Sequence, residues 1–483
     1  MGTISMLIDG KARASGDGAT FERRNPLDRS VATVAPAATT ADAVAAVESA
    51  AAAFAAWSQT GPGQRRALLL KAAEAIEAKG PALIAAMAAE TAAAAPWAGF
   101  NVHLAADMLR EAASITTQVG GEVIPSDIPG SLAMGVRGAA GVVLGIAPWN
   151  APVILGVRAI ATPLACGNTV VFKGSELCPA THGLIVEAFN DAGFPPGVVN
   201  FITNAPADAA TVVEAIVAHP ALRRVNFTGS TRVGKLVAQT CAKYLKPVVL
   251  ELGGKAPMVV LDDADLEAAV NGAAFGAFAN SGQVCMSTER LVVDRRVADA
   301  FVARLAEKAS KLPLGDPRKG PVVLGSVVDM STVERCNALI DDALSKGATL
   351  VCGGKAENTL MPATLLDHVT SGMRIYHEES FGPVKPVVRV DGADEAVRVA
   401  NDNPYGLSAA VFGRDIARAW AVANRIDSGI CHVNGPTVHD EAQMPFGGVK
   451  DSGYGRFGGR AGIDAFTELR WITIQTTDRH YPF

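Results

Sequence analysis

Short runs of β-branched and aliphatic residues, each followed by a helical stretch, fill the chain from residue 141 onward. The first run is GVVLGIAPWN, and similar runs follow at 168–173, 198–203, 224–229, 247–252, 257–262, 290–294, 386–390 and 409–413. Continuously apolar strands that alternate with helices are typical of parallel sheets whose two faces are both covered. The pattern therefore predicts an α/β protein built from two such units, joined near residues 249–253.

The first third of the chain is helical in pattern. We predict helices over 40–57, with Thr40 as the cap candidate, and over 63–80, where Gly80 would stop the helix. A third helix is predicted from residue 97 to about 117 because apolar residues recur there at helical spacing.

Two segments fall outside the alternation of strands and helices. Residues 121–138 are predicted to form an irregular hairpin, and the tail 466–483 reads as a strand with exposed apolar positions such as Trp471 and Ile474. Unpaired strand edges invite association with other chains. Pairing across subunits would cover both segments, so we expect an oligomer.

Length and charge limit the possible functions. With 483 residues the chain is expected to form two or three domains. A net charge of −5 argues against a nucleic-acid or an anionic-membrane partner. The uncharged stretch 138–157 has the length of a membrane span, but Pro148, Asn150 and Pro152 interrupt it. We interpret it as a buried strand that enters a turn, and no signal peptide is visible at the N-terminus.

Cysteine usage indicates a reducing compartment, and we expect a cytoplasmic protein. The seven cysteines contain no CxxC pair and no zinc-type spacing with histidine, so neither a disulfide framework nor a metal site is predicted. Cys285 differs from the others because it follows Gly282 in SGQVC, among small residues. A buried packing thiol needs no such glycine, whereas a nucleophile needs backbone space, donors and a base. Cys285 is therefore a candidate nucleophile.

Two further residues could complete a site for nucleophilic catalysis. Glu251 ends an apolar run and precedes two glycines in ELGGK, so its carboxylate could face a cleft and accept a proton. An ordinary surface glutamate is the alternative. Asn150 in PWN could form an oxyanion hole together with the backbone N–H of Cys285, or could simply be a turn residue.

Two strand ends carry a possible dinucleotide site. FTGSTRVG at 227–234 follows a strand and opens a helix, so Gly229 and Ser230 lie at a positive helix end suited to a pyrophosphate. Lys173 and Glu176 in FKGSE could bind the adenosine ribose through its hydroxyls. Because a carboxylate there would repel a 2′-phosphate, NAD is predicted in preference to NADP.

Six motifs in their order along the chain resemble the aldehyde dehydrogenase superfamily over essentially the whole length. They are PWN, FTGSTRVG, ELGGK, SGQVC, EESFGP at 378–383 and PFGGVKDSGYGR at 445–456. The resemblance implies a Rossmann-type NAD-binding domain over 1–120 and 139–249 and a catalytic domain over 250–460. It also implies an oligomerisation arm made of 121–138 and 461–483, in a homodimer or homotetramer.

The resemblance also implies roles for individual residues. Cys285 would be the nucleophile that forms a thiohemiacetal and then a thioester, Glu251 the base that activates the deacylating water, and Asn150 the oxyanion donor. NAD would contact residues that the motifs contain: Trp149, Lys173, Glu176, Gly229, Ser230, Glu379 and Phe381. Glu379 would hold the nicotinamide ribose, with Phe381 beside the ring.

The substrate is predicted from the residues expected around the nucleophile. Trp97, Phe100 and Phe446 could supply aromatic walls, and Ala151 stands where many family members carry an aromatic residue. Arg158 is the odd residue of an apolar helix, either in a structural ion pair or as the partner of a ring hydroxyl or phenolate. The residue pattern of segments 96–114, 226–234 and 467–474 is also similar to that of salicylaldehyde and vanillin dehydrogenases, which favours a hydroxylated benzaldehyde as substrate.

Other functions remain open at this point. A succinate-semialdehyde, aliphatic or coenzyme-A-acylating aldehyde dehydrogenase would share the fold, although an acylating enzyme has little use for Glu251 as a deacylating base. A non-catalytic binding or structural protein of the same fold is the alternative from another class. The presence of Cys285, Glu251 and Asn150 together argues against it.

Overall fold

The protein is an α/β structure, seen in a computed structural model that describes residues 2–483. Its strands, in chain order, are β1 Gly2–Thr3, β2 Met6–Ile8, β3 Lys11–Arg13, β4 Thr20–Arg24, β5 Val31–Pro36, β6 Gly121–Ile124, β7 Ser131–Ala139, β8 Val142–Ile146, β9 Thr169–Lys173, β10 Val199–Ile202, β11 Leu222–Thr228, β12 Val248–Glu251, β13 Pro257–Val260, β14 Arg290–Asp294, β15 Thr349–Cys352, β16 Thr364–Asp367, β17 Val384–Val390, β18 Ser408–Phe412, β19 Ile430–Val433, β20 Gly453–Tyr454 and β21 Thr467–Gln475.

The α-helices cover the sheets and connect most of the parallel strands. In chain order they are α1 Thr40–Ser58, α2 Pro62–Ala78, α3 Gly80–Thr91, α4 Ala95–Ser114, α5 Pro152–Ala165, α6 Pro179–Asp191, α7 Ala209–Ala218, α8 Thr231–Lys243, α9 Leu266–Phe278, α10 Arg295–Ser310, α11 Met330–Ser345, α12 Arg374–His377, α13 Gly392–Asn401, α14 Ile416–Ala423 and α15 Gly459–Phe466.

The first large sheet has eight strands in the order β20-β12-β11-β8-β9-β10-β2-β3. The central strands β12, β11, β8, β9 and β10 run parallel. In β8, Val143 packs into the core formed with α2, α4, α5 and α6, whereas Val142 and Leu144 pack into the core formed with α1, α7 and α8. Successive side chains of a strand point to opposite faces, so a strand buried on both faces is apolar throughout.

The second large sheet has seven strands in the order β15-β16-β17-β14-β13-β18-β19, all parallel to their neighbours except β15. Helices cover both of its faces, with Val259 in one core and Met258 and Val260 in the other. Since β12 ends at Glu251 and β13 begins at Pro257, a short link joins the carboxyl edge of the first sheet to the amino edge of the second.

The predicted hairpin and tail pair with each other within one chain. Strands β21, β7 and β6 form an antiparallel sheet in which Thr467 lies opposite Ala139 and Gln475 opposite Ser131. One of its two outer strands, β21, is open to solvent, with Trp471 78% exposed. A further small sheet of β1, β5 and β4 lies near the N-terminus and was not expected from the sequence.

Two predicted helix boundaries are wrong, for local reasons. The cap of α1 is Thr39 rather than Thr40, because the Thr39 hydroxyl accepts from the backbone N–H of Asp42 and the Asp42 carboxylate accepts from the N–H of Thr39. Gly80 does not stop a helix; α2 ends at Ala78 and Gly80 begins α3.

The uncharged stretch 138–157 is divided between β7, β8 and the start of α5, as the prolines within it indicated. Across residues 2–483, no helix combines the length and the apolar character that crossing a membrane requires.

Candidate active site

Candidate residues from the first sheet lie where its parallel strands end. Asn150 follows β8, Lys173 ends β9, Gly229 follows β11, and Glu251 ends β12. The carboxyl ends of parallel strands form the edge at which α/β proteins bind ligands. The four residues, scattered along the sequence, therefore share one edge of the first sheet.

The second sheet contributes residues from its amino edge, and two glycines bring the loops together. Cys285 precedes β14, and Glu379 precedes β17. The backbone N–H of Gly254 donates to Oε1 of Glu379 at 2.8 Å. A Cβ added to Gly254 would lie 2.6 Å from the carbonyl oxygen of Cys285, and one added to Gly253 would lie 2.7 Å from Oε2 of Glu379. Side chains at these two positions would push the three loops apart.

The loop before Cys285 has a strained backbone. After α9, the φ angles of Asn280, Ser281 and Gly282 are 49°, 56° and 72°, all in the left-handed region. A Cβ on Gly282 would lie 2.2 Å from the carbonyl oxygen of Gly382. The close backbone approach predicted at Gly282 is therefore confirmed. Strain of this kind costs about 1–3 kcal/mol for each non-glycine residue and persists only where the surrounding structure imposes it.

Asn150 is braced on both sides by residues of other segments. Its Nδ2 donates to the carbonyl oxygen of Gln283 at 3.1 Å. Its own carbonyl oxygen accepts from Nε1 of Trp97 at 2.9 Å and from Nδ2 of Asn280 at 3.0 Å. These bonds hold the amide of Asn150 against the loop that leads to Cys285.

The carboxyl group of Glu251 is buried beside the thiol of Cys285. Glu251 is 1% exposed, and neither of its side-chain oxygens has a hydrogen-bond partner. Burial raises the pKa of Glu251 to about 7. Burial of the thiol and the nearby Glu251 carboxylate raise the pKa of Cys285. Cys285 as a residue is only partly buried.

The residues expected at the adenosine and pyrophosphate end lie at the ends of β11 and β9, the two strands that flank β8. Ser230 is the N-cap of α8, and its hydroxyl accepts from the N–H of Val233 at 3.4 Å. Nζ of Lys173 lies 3.4 Å from Oε2 of Glu176, with Lys173 7% and Glu176 30% exposed. A positive helix end beside a partly exposed carboxylate is an arrangement suited to a dinucleotide.

The residues expected at the nicotinamide end lie between the two sheets. The rings of Trp149 and Phe381 meet edge to face, with centroids 5.9 Å apart. Phe381 adopts a left-handed φ of 41°, and burial raises the pKa of the neighbouring Glu379 to about 7. An aromatic pair next to a carboxyl group can hold a ring and a ribose together.

One of the residues predicted to line the substrate pocket forms an ion pair inside the protein. Trp97, Ala151 and Phe446 are buried, and the Trp97 ring packs 5.6 Å from that of Phe100. Arg158 has an internal partner, because its Nη2 pairs with Oδ2 of Asp440. This is the structural ion pair that the sequence left open for Arg158, and contact of its remaining N–H groups with a ring hydroxyl stays a prediction.

Sequence reasoning missed the residues that support the site. Asn280 and Gln283 stand inside or beside the cysteine motif, so their position could have marked them. Asp440 precedes PFGG, in the segment expected to line the pocket, but nothing in the sequence indicated its pairing with Arg158. Within residues 2–483, no cluster of three or more His, Cys, Asp and Glu side chains is suited to a metal ion.

Comparison with known proteins agrees with this geometry. A model of the aldehyde dehydrogenase family matches residues 13–472. Vanillin dehydrogenase of Pseudomonas fluorescens is 62% identical over 479 residues, which is 99% of each chain. A crystal structure of a salicylaldehyde dehydrogenase from Pseudomonas putida G7, complexed with salicylaldehyde, superposes with a TM-score of 0.99 at 52% identity over 100% of both chains.

A more distant structure contains the cofactor. Betaine aldehyde dehydrogenase from Staphylococcus aureus, in complex with NAD+, matches with a TM-score of 0.94 at 31% identity, covering 99% of this chain and 95% of its own. The fold, the arrangement of the motifs and the extent of these matches lead to one conclusion: the chain belongs to the aldehyde dehydrogenase family.

Proposed function

We propose that this enzyme oxidises hydroxylated aromatic aldehydes to carboxylic acids with NAD. The observation that carries the proposal is the buried Glu251 carboxyl group beside the thiol of Cys285. The similarity to a vanillin dehydrogenase and to a salicylaldehyde dehydrogenase supports the aromatic substrate.

Cys285 is the proposed nucleophile. Its sulfur attacks the aldehyde carbon, the thiol proton passes to the carboxylate of Glu251, and a thiohemiacetal forms. The neighbouring Glu251 has no hydrogen-bond partner that would compete for this proton. The thiol needs such a base because its own pKa is raised by burial and by the Glu251 carboxylate.

Asn150 is the proposed donor to the developing oxyanion. One N–H of its side-chain amide is bound to the carbonyl oxygen of Gln283, and the other is available for the substrate oxygen. Because Trp97 and Asn280 also hold the backbone of Asn150, this donor is oriented before the substrate arrives. The backbone N–H of Cys285 is the proposed second donor.

The residues at the sheet edge fit NAD. Gly229 and Ser230 would receive the pyrophosphate, Lys173 and Glu176 the adenosine ribose, and Glu379 the nicotinamide ribose. Trp149 and Phe381 would lie beside the nicotinamide ring. NAD supplies the hydride acceptor that allows the thioester to form on Cys285.

Glu251 is also the proposed base for the second half of the reaction. After Glu251 has released the thiol proton to solvent, its carboxylate, whose pKa burial raises to about 7, can take a proton from water near neutral pH. The hydroxide equivalent then attacks the thioester carbon, the bond to the Cys285 sulfur breaks, and the acid is released. A coenzyme-A-acylating enzyme would not need this step.

The proposed domains follow the two large sheets except at β20 and the end of β12, which lie within 250–460 but belong to the first sheet. Residues 1–120 and 139–249 would form the NAD-binding domain, 250–460 the catalytic domain, and 121–138 with 461–483 the oligomerisation arm. The exposed apolar side chains of β21, among them Trp471, support an arm that packs on another subunit in a homodimer or homotetramer. Seven unpaired cysteines support a cytoplasmic location.

A panel of aldehydes tests the proposed substrate. NADH formation would be measured with benzaldehyde, its 2-hydroxy and 4-hydroxy derivatives, succinate semialdehyde and a linear aliphatic aldehyde, each with NAD and with NADP. The proposal expects the highest kcat/KM for a hydroxylated benzaldehyde with NAD. A higher value for succinate semialdehyde or for the aliphatic aldehyde would contradict it.

A further inference from the structure

We propose that Glu289 is a positioning residue for the nicotinamide end of the site. Together with Lys255, Lys385 and Ser380 it fixes the segment that carries Glu379 against the loop that carries Cys285. We call these four residues the Glu289 cluster. The inference rests on the proposed role of Glu379 as the ribose ligand.

Both oxygens of the Glu289 carboxylate are fully bonded. Oε2 accepts from Nζ of Lys255 at 2.8 Å and from the backbone N–H of Ser380 at 2.8 Å. Oε1 accepts from Nζ of Lys385 at 2.7 Å and from the hydroxyl of Ser380 at 2.6 Å. The short distances are those of charge-assisted hydrogen bonds.

The cluster lies entirely inside the protein. The side chains of Lys255 and Lys385 are 0% exposed, and that of Glu289 is 2% exposed. Removing two ammonium groups and a carboxylate from water carries a desolvation cost, and well-packed apolar residues of the same volume are often as stable. Hydrophobic packing therefore does not account for this cluster, whereas a requirement for a fixed backbone geometry does.

The Glu289 carboxylate joins three segments of the active site. Lys255 follows Gly253 and Gly254, the two glycines that lie against Glu379 and the carbonyl of Cys285. Glu289 belongs to the segment after Cys285, and its backbone N–H donates to the carbonyl of Ala256 at 2.9 Å.

Ser380 belongs to the third segment, because it lies between Glu379 and Phe381. Its backbone N–H and its hydroxyl both donate to Glu289, so this residue cannot move without breaking two bonds. The orientation of Glu379 and Phe381 relative to the sulfur is thus set by one buried carboxylate. Asn150 is held by other contacts, with Gln283, Trp97 and Asn280.

Replacement of Glu289 should therefore affect the cofactor more than the nucleophile. In Glu289→Gln, an amide NH2 group replaces one carboxylate oxygen. This group donates and cannot accept the hydrogen bond from a lysine ammonium. We expect the KM and the dissociation constant for NAD to rise about tenfold or more. Hydrolysis of an activated aromatic ester, which uses Cys285 and Glu251 without NAD, should stay within about twofold of the native rate.

Asp367→Asn is the matched control, because Asp367 is another buried carboxylate and pairs with Arg389 at 2.7 Å, on β16 and β17. It should lower thermal stability without separating the two activities. If Glu289→Gln does not fold, Lys385→Met removes one cation and keeps the Lys255–Glu289 pair, and the same selective rise in KM is expected.

Equal loss of NAD-dependent oxidation and ester hydrolysis in the Glu289 variant, as in the control, would reduce the cluster to a structural role and overturn the proposal. An unchanged dissociation constant for NAD would overturn it as well. Glu379→Gln, measured in parallel, separates this outcome from failure of the proposed function. If NAD binding were insensitive to Glu379→Gln, the ribose assignment itself would be wrong.

Discussion

The guanidinium of Arg158 and the carboxylate of Asp440 form an ion pair inside the protein, each side chain being 6% exposed. The guanidinium carbon of Arg158 also lies 4.1 Å from the centroid of the Phe446 ring. The pair with Asp440 compensates the charge of Arg158, so burial of this guanidinium does not require a substrate phenolate. The charge of Arg158 still reaches the site, where it opposes the rise in the pKa of Cys285.

Arg158→Leu should destabilise the protein, because it leaves Asp440 buried without its partner. We expect a loss of about 3–5 kcal/mol in the free energy of unfolding, measured by denaturant titration. Activity should fall to the same extent on benzaldehyde and on 4-hydroxybenzaldehyde. The double variant Arg158→Leu with Asp440→Leu should recover most of the stability. A loss confined to the hydroxylated substrate would show that Arg158 contacts the ring hydroxyl.

Cys285→Ser should lower the NAD-dependent oxidation rate at least about a thousandfold, because a hydroxyl is a far poorer nucleophile than a thiolate. NAD binding, measured by calorimetry, should be nearly unchanged. Cys352→Ser, at another partly exposed cysteine on β15, is the control and should retain activity. Substantial turnover by Cys285→Ser would rule out the covalent mechanism.

Glu251→Gln should stop the enzyme after hydride transfer. Without the carboxylate that raises its pKa, the thiol of Cys285 can lose its proton to solvent, so the thioester still forms. An amide cannot accept the proton of the attacking water. Rapid mixing should detect a burst of NADH equal to the number of active sites, followed by turnover slower by about a hundredfold or more. Steady turnover at the native rate would remove Glu251 from the mechanism.

The rate should rise with pH through neutrality. Because burial raises the pKa of Glu251 to about 7, the carboxylate form that accepts a proton grows as the pH increases past that value. For a single group of this kind, kcat should rise about tenfold between pH 6 and pH 8. Glu379 also has a pKa raised to about 7 by burial, so Glu379→Gln is the control. The rise should persist in that variant; its disappearance would assign the titration to Glu379.

The enzyme should prefer NAD over NADP by about tenfold or more in kcat/KM, because the carboxylate of Glu176 would repel a 2′-phosphate. Glu176→Gln removes the charge and should reduce this preference, mainly through a lower KM for NADP. Lys235→Gln is a surface control, since Lys235 is 58% exposed and pairs with Asp451 instead. An unchanged cofactor preference in Glu176→Gln would place the adenosine ribose elsewhere.

The sequence by itself determined the central parallel strands and the order of the reactive groups. Apolar runs buried on both faces identify parallel strands, and local patterns place Asn150, Lys173 and Glu251 at strand ends. Gly282 was identified because a glycine beside a candidate nucleophile indicates close backbone approach. These inferences succeed because they depend on periodicity and on backbone sterics, both of which are local.

Only the tertiary structure decided which charges meet. The pair of Arg158 with Asp440 and the bonds of Glu289 with Lys255 and Lys385 join residues far apart in sequence. Pairing of buried charges depends on where the two sheets place their loops, and local sequence patterns do not predict that placement. The raised pKa of Glu251 could not be predicted from the sequence either, because it is caused by burial of the carboxyl group in the folded protein.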